Sequence, residues 1–308
     1  MRLIFIATGD IALPTFHHLL VAGPRPLALV TQPDKPVGRH QTLTPPAIKL
    51  AALAAGIPVY QPEKIGDITA ELAALEPEIL VVMAYGQILR KNILTLASQA
   101  IINLHASLLP QYRGAACIQA AIDGGDSETG ITAMHIVQAL DAGDMIVSKS
   151  ILIAPDETGG TLHDRLAELA PSVLAEALIK LTNGSAPRIP QDDAASSYIS
   201  KLERDHGKLD WSHDATVLER RIRAYDPWPG TYTVAIEGGK EKRLKIFPPT
   251  TTVVELSLTP GEISTADGHL TVGCGSGSLR LTSVQPDGSR KMSAADYLHG
   301  RQPTAFAR

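Results

Sequence analysis

The chain has only two cysteines, Cys117 and Cys274, far apart and in no metal-ligand spacing. That excludes a disulfide framework and a cysteine-based metal site, and it fits a reducing compartment, so the protein is expected in the cytoplasm. Aromatic residues make up only 4% of the 308 positions, so the core must rest on Ala, Leu, Ile and Val. No apolar run approaches the roughly 20 residues needed to cross a bilayer. The opening Met1-Arg2-Leu3-Ile4-Phe5-Ile6-Ala7 is too short for a secretory signal's apolar core plus cleavage site. No GxGxxG follows the first strand candidate, and Gly9 and Gly38 stand alone, so a nicotinamide or flavin dinucleotide is not expected. A phosphate-binding P-loop is missing too, so ATP chemistry of that kind is not indicated.

Excess positive charge is also lacking. The net charge of −4 argues against a general nucleic-acid binder, but the charge is uneven. Residues 1–200 carry 13 Lys and Arg against 19 Asp and Glu, whereas residues 201–308 carry 15 against 13. A mildly basic second part beside an acidic first part suits an anionic partner touching the second, although a solvated surface accounts for it equally well.

What is present is a soluble, globular composition, 44% hydrophobic and 19% charged, at a length that implies two domains. Apolar runs at 2–7, 27–31, 79–83 and 100–102 alternate with helical patterns at 11–21, 48–56 and 68–75. Strands apolar on both faces, alternating with helices, predict a Rossmann-type, mostly parallel sheet. Strand patterns at 131–137 and 145–153 flank a short hairpin connection. Thr161 and Asp164 read as a capping box opening a helix through Lys180, which Asn183-Gly184 closes. Residues 184–205 lose periodicity and gather Gly, Ser, Pro and Asp. Beyond them, a helical face at 217–225 precedes short apolar runs separated by glycine-bearing turns, the pattern of a small antiparallel β-barrel. The expected division is a catalytic domain over 1–188, a linker over 189–206 and an OB-like barrel domain over 207–308.

Candidate chemistry gathers at the end of the 100–102 run. Asn103 and His105 lie two residues apart, so in extended backbone they share a face, and Pro110 and Gly114 break regular structure and make the next segment a loop. An amide and an imidazole at a strand's end suit oxyanion stabilisation and proton transfer once a carboxylate holds the ring. Asp141 and Asp144, in the 139–144 hairpin, are equal candidates for that carboxylate by residue type alone. Ser107 is a poor nucleophile candidate, since no GxSxG elbow surrounds it. The alternative is a structural histidine with aspartates in ordinary turn roles.

These residues carry a resemblance. Asn103-Leu104-His105-Ala106-Ser107-Leu108-Leu109-Pro110 with Arg113-Gly114 resembles the N-x-H…SLLP…RG motif of enzymes that use 10-formyltetrahydrofolate as formyl donor. Leu140-Asp141-Ala142-Gly143-Asp144-Met145 is similar to their second motif, and the resemblance assigns its final aspartate, Asp144, as catalytic beside Asn103 and His105. Thr31 to Arg39, Ala84 to Leu89, Asp210-Trp211-Ser212 and Pro227-Trp228-Pro229 extend the likeness, and through it the chain is identified as a member of the methionyl-tRNA formyltransferase family. The resemblance implies formyl transfer from 10-formyltetrahydrofolate to the α-amine of methionyl-initiator tRNA by a monomer, without a metal or a covalent enzyme intermediate. It places the folate against Ser107, Leu108, Leu109 and Pro110 and against Ala84, Tyr85, Gly86, Ile88 and Leu89. Lys35, Arg39, Arg220, Arg223, Lys240, Lys242 and Arg243 are the tRNA-contact candidates, with plain solubility as the alternative for each.

The likeness is incomplete in three places. The first turn reads Ala7-Thr8-Gly9-Asp10-Ile11, Cys117 stands where a proline is common, and His40-Gln41-Thr42 replaces the usual lysines after Arg39. Donor motifs alone suit equally an enzyme that formylates glycinamide ribonucleotide or an amino sugar nucleotide, or one that hydrolyses formyl-folate. A catalytically silent RNA- or folate-binding protein is the reading from another class. The second-domain motifs favour tRNA.

Overall fold

The computed structural model describes residues 1–38, 41–253 and 258–307, which divide into two compact units. Met1–Gly114, Thr129–Ile151 and His163–Ile199 form the first; Ala115–Glu128, Leu152–Leu162 and Ser200–Arg308 form the second.

Strand β1 (Leu3–Ala7) is apolar and buried at every position, as a strand covered on both faces must be. A short 3₁₀ turn leads into α1 (Leu13–Val21), with Pro14 in the first turn, where its missing N–H leaves no bond unmade. Then come β2 (Ala28–Val30), the exposed hairpin of β3 (Lys35–Val37) and β4 (Thr42–Thr44), α2 (Ala47–Ala54), β5 (Val59–Tyr60) and α3 (Thr69–Ala74). The buried β6 (Ile79–Met83), the short α4 (Lys91–Leu94), β7 (Ala100–His105) and the two-residue β8 (Arg113–Gly114) come next. After α5 (Cys117–Gly124), the chain adds β9 (Glu128–His135), β10 (Met145–Leu152), α6 (Gly159–Thr182) and β11 (Tyr198–Ile199).

The first unit's sheet has the order β10-β9-β7-β6-β1-β2-β5. Its β5, β2, β1, β6 and β7 run parallel, and β9 pairs antiparallel with β7. This is the Rossmann-type sheet that the alternating pattern predicts. The chain grows outward from β1 to β2 and β5, then returns to the other side of β1 with β6 and β7. Loops at the carboxyl ends of the strands flanking such a reversal are where open α/β sheets bind ligands.

Two local readings change. Helix α6 starts at Gly159, and its reciprocal cap joins Thr158 and Thr161: the Thr161 N–H donates to Thr158 Oγ1 (3.2 Å) and the Thr158 N–H to Thr161 Oγ1 (2.9 Å). The cap is therefore one turn earlier than a Thr161–Asp164 box. Residues 189–199, at the start of the expected linker, are tied into the first unit, where β11 pairs in parallel with β8.

In the second unit, α7 (Ala215–Ala224) precedes β12 (Thr231–Glu237), β13 (Lys240–Val253), β14 (Ile263–Ser264), β15 (Leu270–Gly273), β16 (Ser278–Pro286), β17 (Met292–Ser293), α8 (Ala294–Gly300) and β18 (Pro303–Phe306). Six of the strands form an antiparallel sheet in the order β14-β15-β16-β13-β12-β18. A Glu262–Ala305 bridge and the Phe306 N–H donating to Gly261 O (2.8 Å) draw its two edges into a nearly closed barrel. The closing strand β18 is not legible in sequence because a proline opens it; as the first residue of a strand, Pro303 is tolerated. Leu218 and Ile222 of α7 and Tyr297 of α8 pack with Leu244, Ile246 and Trp211 in one core. The buried Trp211 indole N–H donates to Thr233 Oγ1 at 2.9 Å, so this motif tryptophan is a core residue.

Candidate active site

Strand β7 delivers Asn103 and His105 to the carboxyl end of the sheet, opposite Met134 and Thr132 of β9. Beyond it, the 107–111 loop is stapled to β9 through Thr132. The Thr132 hydroxyl donates to Ser107 O (2.7 Å) and accepts from the Leu109 N–H (3.2 Å). Ser107 is fully buried, and its hydroxyl donates to Gln111 O at 2.7 Å. It is a loop brace and not a nucleophile.

The carboxylate that meets Asn103 and His105 is Asp141. The Asn103 amide donates to Asp141 Oδ1 at 3.4 Å, and the Gly114 N–H donates to Oδ2 at 2.9 Å. His105 Nδ1 lies 3.7 Å from Oδ2, within ion-pair reach, and the Asp141 side chain is only 12% exposed. Asp144 points elsewhere: its carboxylate pairs with Arg188 at 3.4 Å and is 36% exposed. The placement of Asp144 with Asn103 and His105 is therefore corrected to Asp141. The reason is topological. Asp144 abuts β10, two strands from β7, whereas Asp141 lies further back along the hairpin. Gly143 lets that hairpin lie close to β9, since a Cβ there would come within 1.8 Å of His135 O.

The other ring nitrogen of His105, Nε2, is 2.8 Å from Tyr112 O. A carbonyl only accepts, so Nε2 carries a proton in that contact. The ring is thus held between a carbonyl at Nε2 and a carboxylate beside Nδ1. Near the trio, His135 is held below the usual imidazole range, chiefly by burial and then by Arg188, with Asp144 opposing.

Of the five non-glycine residues with positive φ among the described residues, three lie on loops of this site: Ala84 (47°), Tyr112 (57°) and Asp141 (49°). Such backbone persists where surrounding structure over-determines it, and it clusters at sites.

The 84–89 loop leaves β6 beside Asn103, because Val82 and Asn103 are paired in register. Its backbone is anchored from both neighbouring turns: the Gly9 N–H donates to Ala84 O (3.1 Å) and the Gln32 amide to Tyr85 O (2.6 Å). Tyr85 and Leu89 are core residues, with burial pushing the Tyr85 hydroxyl up to about 12. Ala84, Gly86 and Ile88 are the exposed positions of the loop, Ile88 at 79%. Across the site, Leu109 is buried and Leu108 and Pro110 are half-buried. An exposed isoleucine beside a braced apolar loop fits a partly apolar heterocycle. Among the described residues, no group of three or more His, Cys, Asp or Glu could hold a metal ion.

The tRNA candidates separate. Arg223 is buried, binds Glu219 through two nitrogens (2.6 and 2.9 Å) and donates to Glu157 O (2.8 Å), so it is structural. Arg220 donates to Asp123 O at 3.1 Å and is half-buried. Lys240, Lys242, Arg243 and the adjoining Lys245 are exposed along β13. Arg243 lies over the Tyr232 ring at 3.6 Å, and Lys242 pairs with Glu237 at 2.8 Å. In the first unit Lys35 is exposed and bonds Gln32, while Arg39 lies outside the described residues.

Comparison with known proteins matches two stretches of the chain to family models. Residues 11–178 match the formyl transferase family, and residues 201–302 match the formyl transferase C-terminal domain. The fold resembles an N-formyltransferase from Helicobacter canadensis solved with folinic acid and dTDP-3-aminofucose, with TM-score 0.68 at 17% identity over 95% of this chain and 100% of that one. It also resembles HypX from Aquifex aeolicus in complex with tetrahydrofolic acid, with TM-score 0.64 at 18% identity over 97% of this chain and 47% of that one. In sequence, the chain is 49% identical to a methionyl-tRNA formyltransferase of Akkermansia muciniphila, covering 97% of this chain and 96% of the relative. It is 42% identical to one of Geobacter metallireducens at the same coverage. With its catalytic-domain motifs, its barrel and these relatives in agreement along nearly the whole length, the chain belongs to the methionyl-tRNA formyltransferase family.

Proposed function

We propose that the protein transfers the formyl group of 10-formyltetrahydrofolate to the α-amine of methionyl-initiator tRNA, giving formylmethionyl-tRNA for translation initiation. It acts as a monomer in the cytoplasm. The observation that carries this reading is the convergence of Asn103, His105 and Asp141 at one strand end, in a chain of this family.

The folate supplies an activated formyl carbon. A bond forms between that carbon and the methionyl nitrogen while the bond to N10 breaks, and negative charge develops on the formyl oxygen. Asn103 has two amide hydrogens; one is turned to Asp141, and the second is the donor for that oxygen. His105 becomes positive beside it as the amine's proton arrives, and Asp141 orients the ring and stabilises that charge. The proton lost by the amine passes to the His105–Asp141 pair, which returns one to the departing N10, so the pair is unchanged at the end of the cycle. Ile88, the backbone of 84–86 and the 108–110 loop bind the folate. The exposed cations of β13, with Lys35 and Arg39, hold the tRNA by its phosphates.

The test is incubation with 10-formyltetrahydrofolate and a panel of amines, reading formyl transfer directly. Formylmethionyl-tRNA is the expected product. Formylation of an amino sugar nucleotide or glycinamide ribonucleotide in preference to the charged tRNA would overturn the reading.

A further inference from the structure

One side chain outside every recognised motif holds the Asp141 loop in place. Gln191, half-buried in the segment between α6 and β11, donates through Nε2 to the backbone carbonyls of Asp141 and Gly143, both at 2.8 Å. Its Oε1 accepts from Arg113 Nε at 2.9 Å. Two carbonyls on one side and a guanidinium on the other leave a single amide orientation. Asp141 sits in left-handed backbone, with φ 49°, and needs external support to keep that conformation.

Arg113 completes the arrangement. It is 2% exposed, and besides Gln191 it reaches Tyr198 (3.0 Å) and Asp193 (2.8 Å). Its own backbone N–H donates to Ser197 O (2.8 Å), and the preceding Tyr112 N–H donates to Ser197 Oγ (2.9 Å). Tyr112 is the residue whose carbonyl meets His105 Nε2. Segment 189–199 therefore bonds both structures that fix His105: the Asp141 loop through Gln191 and the Tyr112 turn through Ser197.

We propose that Gln191 is a positioning residue for formyl transfer, setting Asp141 against His105 and Asn103, with Arg113 holding the Gln191 amide in register. This rests on the reading of Asp141 as the carboxylate of the site. Gln191 touches no substrate. It acts by fixing a distance, and a misplacement of about 1 Å at a catalytic group costs up to about a hundredfold in rate.

The experiment compares Gln191→Glu, Gln191→Ala and Asp141→Asn in the full chain, with steady-state formylation kinetics and thermal unfolding. Gln191→Glu keeps an oxygen for Arg113 but loses both N–H donors to the Asp141 loop. The expected result is a 10- to 100-fold fall in kcat for both Gln191 variants, with KM for each substrate within about twofold of the parent. Gln191→Glu should unfold no lower than Gln191→Ala while being no faster. In an Asp141→Asn background, Gln191→Ala should slow single-turnover transfer no further. Turnover of Gln191→Glu near the parental rate, or losses that multiply in the double variant, would overturn the proposal while leaving the role of Asp141 intact. Near-normal turnover of Asp141→Asn alone would overturn both.

Discussion

Asp141→Asn and Asp144→Asn make a pair of nearly isosteric changes three residues apart with sharply different expected outcomes. Asp141 Oδ2 lies 3.7 Å from His105 Nδ1, with its side chain 12% exposed. At an effective dielectric of about 20, a full charge pair at that distance interacts by about 4 kcal/mol. Asparagine forfeits most of that at the moment the imidazole becomes positive, so kcat should fall about a thousandfold. The single oxygen of the new amide still accepts from the Gly114 N–H, which keeps the loop in place, while the –NH2 replacing Oδ1 no longer accepts from the Asn103 amide. Among the described residues, the Asp144 carboxylate bonds Arg188, and both partners are substantially exposed. Such a pair contributes at most about 1 kcal/mol to stability, and its loss should leave kcat within about threefold of the parent. The assay is initial-rate formylation of methionyl-initiator tRNA at saturating folate. A hundredfold loss in Asp144→Asn alongside a nearly intact Asp141→Asn would refute the geometric reasoning and restore the motif's final aspartate.

If the second unit neutralises about four phosphates, tRNA affinity should fall about a hundredfold between 50 and 200 mM salt; a flat response would exclude backbone contacts. Arg243→Glu with Lys245→Glu should reduce that slope without altering the unfolding temperature. Arg223→Ala, which removes the bonds to Glu219 and to the Glu157 carbonyl, should instead destabilise the protein by about 3 kcal/mol, and unchanged denaturant unfolding would contradict its structural role. His135 is held below the ordinary value of 6.5, chiefly by burial and secondly by Arg188. The unfolded chain therefore binds its proton first on acidification, so the stability His135 contributes is complete above that value and is lost as pH falls through it. Urea unfolding of His135→Gln should show a flatter acid-side decline than the parent, and identical slopes would contradict this assignment.

Most of the first unit's sheet is legible in sequence because its strands are continuous apolar runs between helical patterns, and Asn103 and His105 are legible because two-residue spacing fixes a shared face. The identity of the carboxylate is not. Asp141 and Asp144 share a hairpin and a residue type, and which one meets His105 is decided by contacts between segments distant in sequence. Tyr85 and Leu89 read as lining residues from their motif, yet burial in the first unit's core leaves Ala84, Gly86 and Ile88 as the exposed face. Arg223 falls on helical spacing that suggests a basic surface, but its i,i+4 partner Glu219 and a distant carbonyl claim it. Gln191 lies in a stretch without periodicity, where composition marks a linker and says nothing of hydrogen bonds formed across some fifty to eighty positions of sequence.

Whether the cluster at the end of β7 performs formyl transfer to methionyl-tRNA comes down to one rate. Formylmethionyl-tRNA formation by His105→Ala should be measured under single-turnover conditions with both substrates saturating, with tRNA binding measured on the same preparation. Transfer at the background level with tRNA binding intact is the expected result; formylation near the parental rate would contradict a catalytic role for the β7 cluster.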